Sequence, residues 1–262
     1  MKLKLSERLL AIAALVPLGA RVADIGTDHA LLPCYLVGSE KATSVIGVDV
    51  HRGPYERAWQ TVRECSLEEY IEIRLGDGLT VLKPGEVDTV VIAGMGGTAI
   101  SNIFAESPQV VGSLRKVILQ PMNNPAAVRN WLWEHGWEIT AEDLIFEDKQ
   151  YYQLIGAENA PSTETARTTA AQSTGVSRST TTVERSFFPE LAAEYGPLLI
   201  RHIHPLLPGL LERDQRAMQV MLEQLAKSSQ EDVQLRYREA QQQMQKMKEL
   251  REWLLVAKPS SM

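Results

Sequence analysis

Apolar positions along the chain change their spacing three times. Residues 5–17 carry Leu5, Leu9, Ile12, Ala13 and Val16 at helical intervals, and Pro17 and Gly19 end the pattern. Five short apolar runs follow, at 22–25 (VADI), 45–50 (VIGVDV), 71–75 (IEIRL), 88–93 (DTVVIA) and 116–120 (KVILQ). Each is short and rich in β-branched residues, as strands buried on both faces should be. Helices are predicted between most of them, at 29–38, 53–66, 97–106 and 124–135. Strands alternating with helices predict a parallel sheet with right-handed crossovers. Two further strand-like segments, near 137–146 and 150–157, are separated only by Glu147, Asp148 and Lys149, so they predict an antiparallel hairpin.

The pattern stops at 159–182, where 12 of 24 residues are Ser or Thr and Val176 is the only large aliphatic one. Such a stretch cannot bury enough surface to offset its ordering entropy, which predicts a disordered linker or loop acting as a spacer. Globular composition returns at 187–201. Two long helical patterns follow. In 209–227, Leu211, Met218 and Leu225 recur at sevens with Met221 between. In 230–257, Val233, Tyr237, Ala240, Met244, Met247 and Leu254 alternate by threes and fours, and Arg251 interrupts the seam. This is coiled-coil spacing, and the short connection at 227–230 predicts an antiparallel helical hairpin. The seam reads as packing, or as an arm whose outer face grips a large substrate. The domains expected are therefore 1–158, a linker at 159–183, and a helical domain at 184–262.

Composition narrows the classes. With 44% apolar and 23% charged residues in 262, a disordered, collagen-like or membrane-bundle chain is excluded. No apolar run approaches the ~20 residues that span a bilayer. Glu7 and Arg8 break the apolar stretch after Lys2 and Lys4, so no signal peptide is read and a cytoplasmic protein is expected. Cys34 and Cys65 fit a reducing compartment and exclude a Cys-rich zinc site. The net charge of −6 at first opposes a nucleic-acid partner. Residues 184–262, however, carry eleven basic and eleven acidic side chains, so the acidic excess lies upstream and a local basic patch remains open.

Candidate chemistry sits at the strand ends. DIGTDHALLP (24–33) is a strand running into a glycine turn and a helix, the usual cofactor position in α/β sheets. It is not the dinucleotide glycine fingerprint: Asp28 stands at the second glycine position, with Asp24 close by. Two carboxylates repel a pyrophosphate and suit a cationic ligand such as S-adenosylmethionine, although an Asp there also serves as a helix cap. Asp49, 25 positions after Asp24, can accept both hydroxyls of a ribose. Asp77 in GDGL (76–79) can accept from an adenine amine, and Gly78 permits close approach; the same pair also makes a simple turn. AGMGG (93–97) leaves an open floor at Gly94, Gly96 and Gly97. LQPMNNP (119–125) offers the amides of Gln120, Asn123 and Asn124, which suit planar base edges. Tyr35, Tyr151 and Tyr152 read as core or sheet residues before base-stacking ones, and Arg52, Arg57 and Arg129 as solvated before phosphate-binding ones.

Together, LKLSERLLAIAALVPLGARVADIGTDHALLPCYL, GDGL, IAGMGG and LQP resemble the bacterial tRNA (adenine-22-N1)-methyltransferases, the TrmK family, over residues 3–157 and again from about 190 onward. The Ser/Thr-rich stretch is a departure from the family pattern. The resemblance implies an α/β fold: a class I methyltransferase, Rossmann-like sheet of five parallel strands plus a C-terminal hairpin, then an α-helical coiled-coil domain. It implies S-adenosylmethionine as cofactor, tRNA as partner, no metal and no membrane, and a monomer is expected. Cofactor contacts are implied at Asp24, Gly26, Asp28, His29, Asp49, Asp77, Gly78, Gly94, Met95 and Gly96, and substrate contacts at Gln120, Pro121 and Asn123. Asp28 is the catalytic candidate, stabilising the cationic product base, and His29 is second, orienting that base or merely starting a helix. Competing readings are a methyltransferase for a protein or small molecule, and a non-catalytic RNA-binding scaffold.

Overall fold

The computed structural model describes residues 4–159 and 188–257. The chain divides into two compact units, Met1–Val176 and Ser177–Met262. The Ser/Thr-rich segment lies outside the described residues, except Asn159, which ends a strand.

The first unit begins with helix α1 (Glu7–Leu15). Ser6 caps it, its hydroxyl accepting from the Leu9 N–H at 3.3 Å. Five parallel strands follow, with helices between all but β3 and β4: β1 (Ala20–Ile25), α2 (Leu31–Gly38), β2 (Ala42–Asp49), α3 (Arg52–Glu64), β3 (Ile71–Leu75), β4 (Thr89–Met95), α4 (Gly97–Glu106), α5 (Pro108–Ser113) and β5 (Lys116–Pro121). Helix α6 (Pro125–Glu134) leads to the hairpin β6 (Trp137–Glu147) and β7 (Gln150–Asn159). At its tip Asp148 and Lys149 both take positive φ, +50° and +64°, as a twist-matched two-residue turn requires. The short helix α5 departs from the sequence reading, because six residues cannot display a helical period.

Strand order is β3-β2-β1-β4-β5-β7-β6. β7 inserts antiparallel beside β5, pairing Leu119 with Ile155. The order reverses between β1 and β4, where Asp24 lies level with Val91, and the connections leave to opposite sides. The crevice at the carboxyl ends of these strands is where open α/β sheets take ligands. One face packs on α1, α2 and α3 through Ile12, Val16, Val22, Val45, Val91, Ile118 and Leu154. By strand alternation Asp24, Asp49, Ala93, Gln120 and Tyr152 belong to that same face, at its ligand-side edge.

Arg129 on α6 is not solvated. Its side chain is fully buried, ion-paired with Glu142 at 2.7 Å, and donates to Gln153 Oε1 at 2.7 Å. The pair ties α6 to both hairpin strands.

The second unit holds α7 (Pro189–Tyr195), α8 (Pro197–Arg201), α9 (Leu207–Leu225) and α10 (Glu231–Val256). Leu222 packs on Ala240 and Met244, while Glu212 pairs with Arg251 at 2.9 Å, so α9 and α10 run antiparallel. The seam differs from a strict heptad. Leu222 and Leu250 are buried, whereas Met221 is 41% exposed. Leu222 is eleven residues after Leu211, and eleven-residue spacing follows a straight helix better than repeated sevens.

Candidate active site

β1 feeds a tight loop before α2. Gly26 takes φ +79°, a left-handed conformation that strains any L side chain, and a Cβ there would displace the mobile end of Met95, whose Cε lies 2.7 Å away. Asp28 and Ala30 are also left-handed, at φ +43° and +52°. Asp tolerates this conformation; for the buried Ala30 it costs about 1–2 kcal/mol. The loop is held by the Gly26 and Thr27 N–H groups, which donate to the Val48 carbonyl at 2.8 and 3.1 Å.

Asp24 is buried behind the loop and accepts from Thr27 Oγ1 at 2.7 Å. Burial pushes its carboxyl up to about 6; the Thr27 hydrogen bond opposes the rise and the nearby Asp49 charge adds to it. Asp49 ends β2. Its Oδ1 accepts from the His51 N–H at 2.9 Å and its Oδ2 from the Asp28 N–H at 3.4 Å. Each oxygen keeps a lone pair for a ligand. Asp77, just past β3, is exposed, and its carboxylate accepts no hydrogen bond among the described residues. Gly78 beside it has φ +53°, and a Cβ there would press on Ile103 at 3.1 Å.

These residues border a cleft of about 430 Å³ lined by Gly26, Val50, His51, Asp49, Asp77, Gly78 and Met95, with Ala99, Asn102, Ile103 and Glu106 of α4 opposite. Sequence reasoning missed the α4 wall. Its signal was present, since 99, 102, 103 and 106 share one helix face, but only the sheet topology aims that face at the cleft.

Gly94, Met95, Gly96 and Gly97 follow a different logic from the open floor expected. Gly94, at φ +79°, does face open space. The room beside Gly97 is filled by the Asn124 carbonyl, and a Cβ on Gly96 would sit 3.0 Å from Asn123 Oδ1. The Gly97 N–H donates to the Asn123 carbonyl at 3.0 Å and the Met122 N–H to the Met95 carbonyl at 2.8 Å. These glycines lock the β4 and β5 loops together. Asn123 is exposed at their junction.

Gln120 and Pro121, expected to face substrate, are both buried. The β5 alternation turns Gln120 under α1, where its Oε1 accepts from Arg8 Nη1 at 2.8 Å and its Nε2 donates to the Pro121 carbonyl at 3.1 Å. Gln120 therefore reaches outward only through Arg8, which sequence reasoning also missed. Asp28 and His29 are half exposed on the loop, 3.5 Å apart. Arg57 of α3 donates to Asp28 Oδ1 at 2.6 Å, so this arginine orients a loop carboxylate.

Among the described residues, no three His, Cys, Asp or Glu side chains are grouped to hold a metal ion. No described helix is long and apolar enough to cross a membrane.

A methyltransferase-domain family model matches residues 5–155. The chain is 40% identical over 157 residues to the tRNA (adenine(22)-N(1))-methyltransferase of Bacillus subtilis, covering 60% of this chain. That alignment spans 66% of the relative's length, just under two thirds. The crystal structure of the B. subtilis tRNA methyltransferase TrmK superposes with TM-score 0.80 at 30% identity, over 95% of this chain and 99% of that one. A Streptococcus pneumoniae protein solved in complex with S-adenosyl-L-methionine superposes with TM-score 0.75 at 27% identity, over 94% and 99%.

Proposed function

From the premise that this chain belongs to the TrmK family of bacterial tRNA methyltransferases, we propose that it transfers a methyl group from S-adenosylmethionine to ring nitrogen 1 of adenine 22 in tRNA, in the cytoplasm. The observation that carries this reading is the cleft, whose strand-end carboxylates Asp49 and Asp77 flank a turn that needs the left-handed backbone of Gly26. The donor set fits the cofactor. Asp49 has the spare lone pairs to accept two ribose hydroxyls, and Asp77 has an open carboxylate for an adenine amine. Val50 and Ile103 supply apolar contact for the purine. Asp24 supplies the negative charge that an ammonium group needs.

Bound S-adenosylmethionine supplies a methyl group on a sulfonium, already activated for in-line displacement. The protein's task is alignment and exclusion of water. Ring nitrogen 1 attacks through a lone pair that is available without deprotonation, so no strong general base is required. It is normally engaged in pairing, so the adenine must be unpaired or extruded. We assign Asp28 to the developing positive charge on the methylated ring, with its direction fixed by Arg57 and with His29 orienting the base. Asn123 offers an exposed amide to the base edge at the β4–β5 junction. In this reading 1–158 carries the chemistry, and the α9–α10 hairpin lies in a second domain, 184–262, that grips tRNA.

Incubating the full chain with bulk tRNA and S-adenosylmethionine, then mapping modified nucleosides, tests the proposal. The expected product is 1-methyladenosine at position 22. Methyl incorporation into protein instead, or none at all, sinks it.

A further inference from the structure

The cofactor cleft accounts for the β1, β2, β3 and α4 side of the crevice. Its lining includes none of Arg8, Gln120 or Tyr152. These three form a second arrangement on the β5 and β7 side. The Arg8 guanidinium sits 5.2 Å from the centroid of the Tyr152 ring and donates to Gln120 Oε1 at 2.8 Å. Gln120 is itself fully buried, with its Nε2 spent on the Pro121 carbonyl and 3.6 Å from Met122 Sδ.

Several described arginines are neutralised by carboxylates, as Arg57 is by Asp28, Arg74 by Glu72 and Glu86, and Arg129 by Glu142. Arg8 is half-buried yet has no carboxylate within 4.0 Å among the described residues. Its only fixed partners are a neutral amide and an aromatic face, which hold its plane without cancelling its charge. A partly desolvated, oriented, unneutralised guanidinium is a receptor for an anion. Met122, 41% exposed, adds an apolar edge beside it.

Resting on the functional reading above, we propose that Arg8 binds the RNA phosphodiester next to the target adenosine, with Gln120 and Tyr152 as the residues that position it. The placement fits that occupant better than the cofactor's own carboxylate. The guanidinium lies outside the cofactor cleft, at the strand whose loop presents Asn123. A nucleotide entering there brings a phosphate to a cation and its sugar and base to an aromatic and thioether edge.

The test uses the full chain, with tRNA as the probe and S-adenosylmethionine affinity as the internal control. Arg8→Ala should raise KM for tRNA about tenfold or more and flatten the dependence of log affinity on log salt by about one unit, while cofactor affinity stays within about twofold. Arg8→Lys should restore the salt slope but not the full affinity, because it keeps the charge and loses the planar fork. Gln120→Met, which frees the guanidinium without removing it, should weaken tRNA binding with the salt slope intact; this variant decides the matter if Arg8→Ala does not fold. An unchanged tRNA KM and slope in Arg8→Ala, or a loss confined to cofactor affinity, overturns the assignment. A wild-type chain that methylates no tRNA instead overturns the reading on which it rests.

Discussion

Asp24 is a carboxylate held where burial opposes its charge. Its pKa rises from 3.8 to about 6 in the folded chain, so the fold binds this proton more tightly than the unfolded chain does. The sign follows: its contribution favours the fold below 3.8 and is lost as pH rises through about 6. At neutral pH the ionised group therefore costs stability, on the order of 1–3 kcal/mol. Asp24→Asn should raise the unfolding temperature of the ligand-free protein at about pH 7.5 while abolishing the shift that S-adenosylmethionine gives the wild type. In the wild type that ligand-induced shift should shrink as pH falls below about 6, because the protonated acid no longer pairs with an ammonium group. A melting series with and without cofactor between about pH 5 and pH 8 checks both outcomes. Asp28→Asn should lower kcat more than cofactor affinity and Asp49→Ala should do the reverse; equal losses in both parameters for each variant would contradict that division. Asp24, Asp49 and Asp77 were legible because an acid at a strand end beside glycine is a local pattern. The Arg57–Asp28 and Arg8–Gln120 pairs were not, since their partners are 29 and 112 residues apart and only the fold brings them together.

At the scale of elements, short apolar runs marked β1, β2, β4 and β5, because the sheet's interior strands are buried along most of their length; edge strand β3 and the closing hairpin carry exposed polar positions yet kept enough apolar residues to be read. Ser6→Ala should cost about 1 kcal/mol by removing the α1 cap. Arg129 shows where composition misleads, since the usual reading of an arginine is solvation, yet this one is sealed between α6 and the β6–β7 hairpin. Removing one partner takes away the ion pair that balances the other buried charge. Glu142→Ala and Arg129→Ala should each lower stability by about 3–5 kcal/mol in chemical denaturation. The helical seam was read correctly at Ala240, Met244 and Met247. It was read wrongly at Met221, because heptad counting drifts off the buried face of a nearly straight α9.

At the scale of the molecule, a sheet with order β3-β2-β1-β4-β5-β7-β6 places Asp24, Asp28, Asp49 and Asp77 at one edge and reverses its connections between β1 and β4. That arrangement turns separated sequence motifs at the ends of β1, β2, β3 and β4 into a single cleft suited to a cationic methyl donor. A dinucleotide would instead meet Asp28 at the second glycine position, where its pyrophosphate needs unopposed N–H groups. Calorimetric titration of the full chain with S-adenosylmethionine, set beside NAD under the same conditions, is the most direct measurement of this distinction. One S-adenosylmethionine should bind per chain, at least about 100-fold more tightly than NAD, with binding greatly weakened in Asp49→Ala. No heat with S-adenosylmethionine, or comparable binding of NAD, would contradict the assignment.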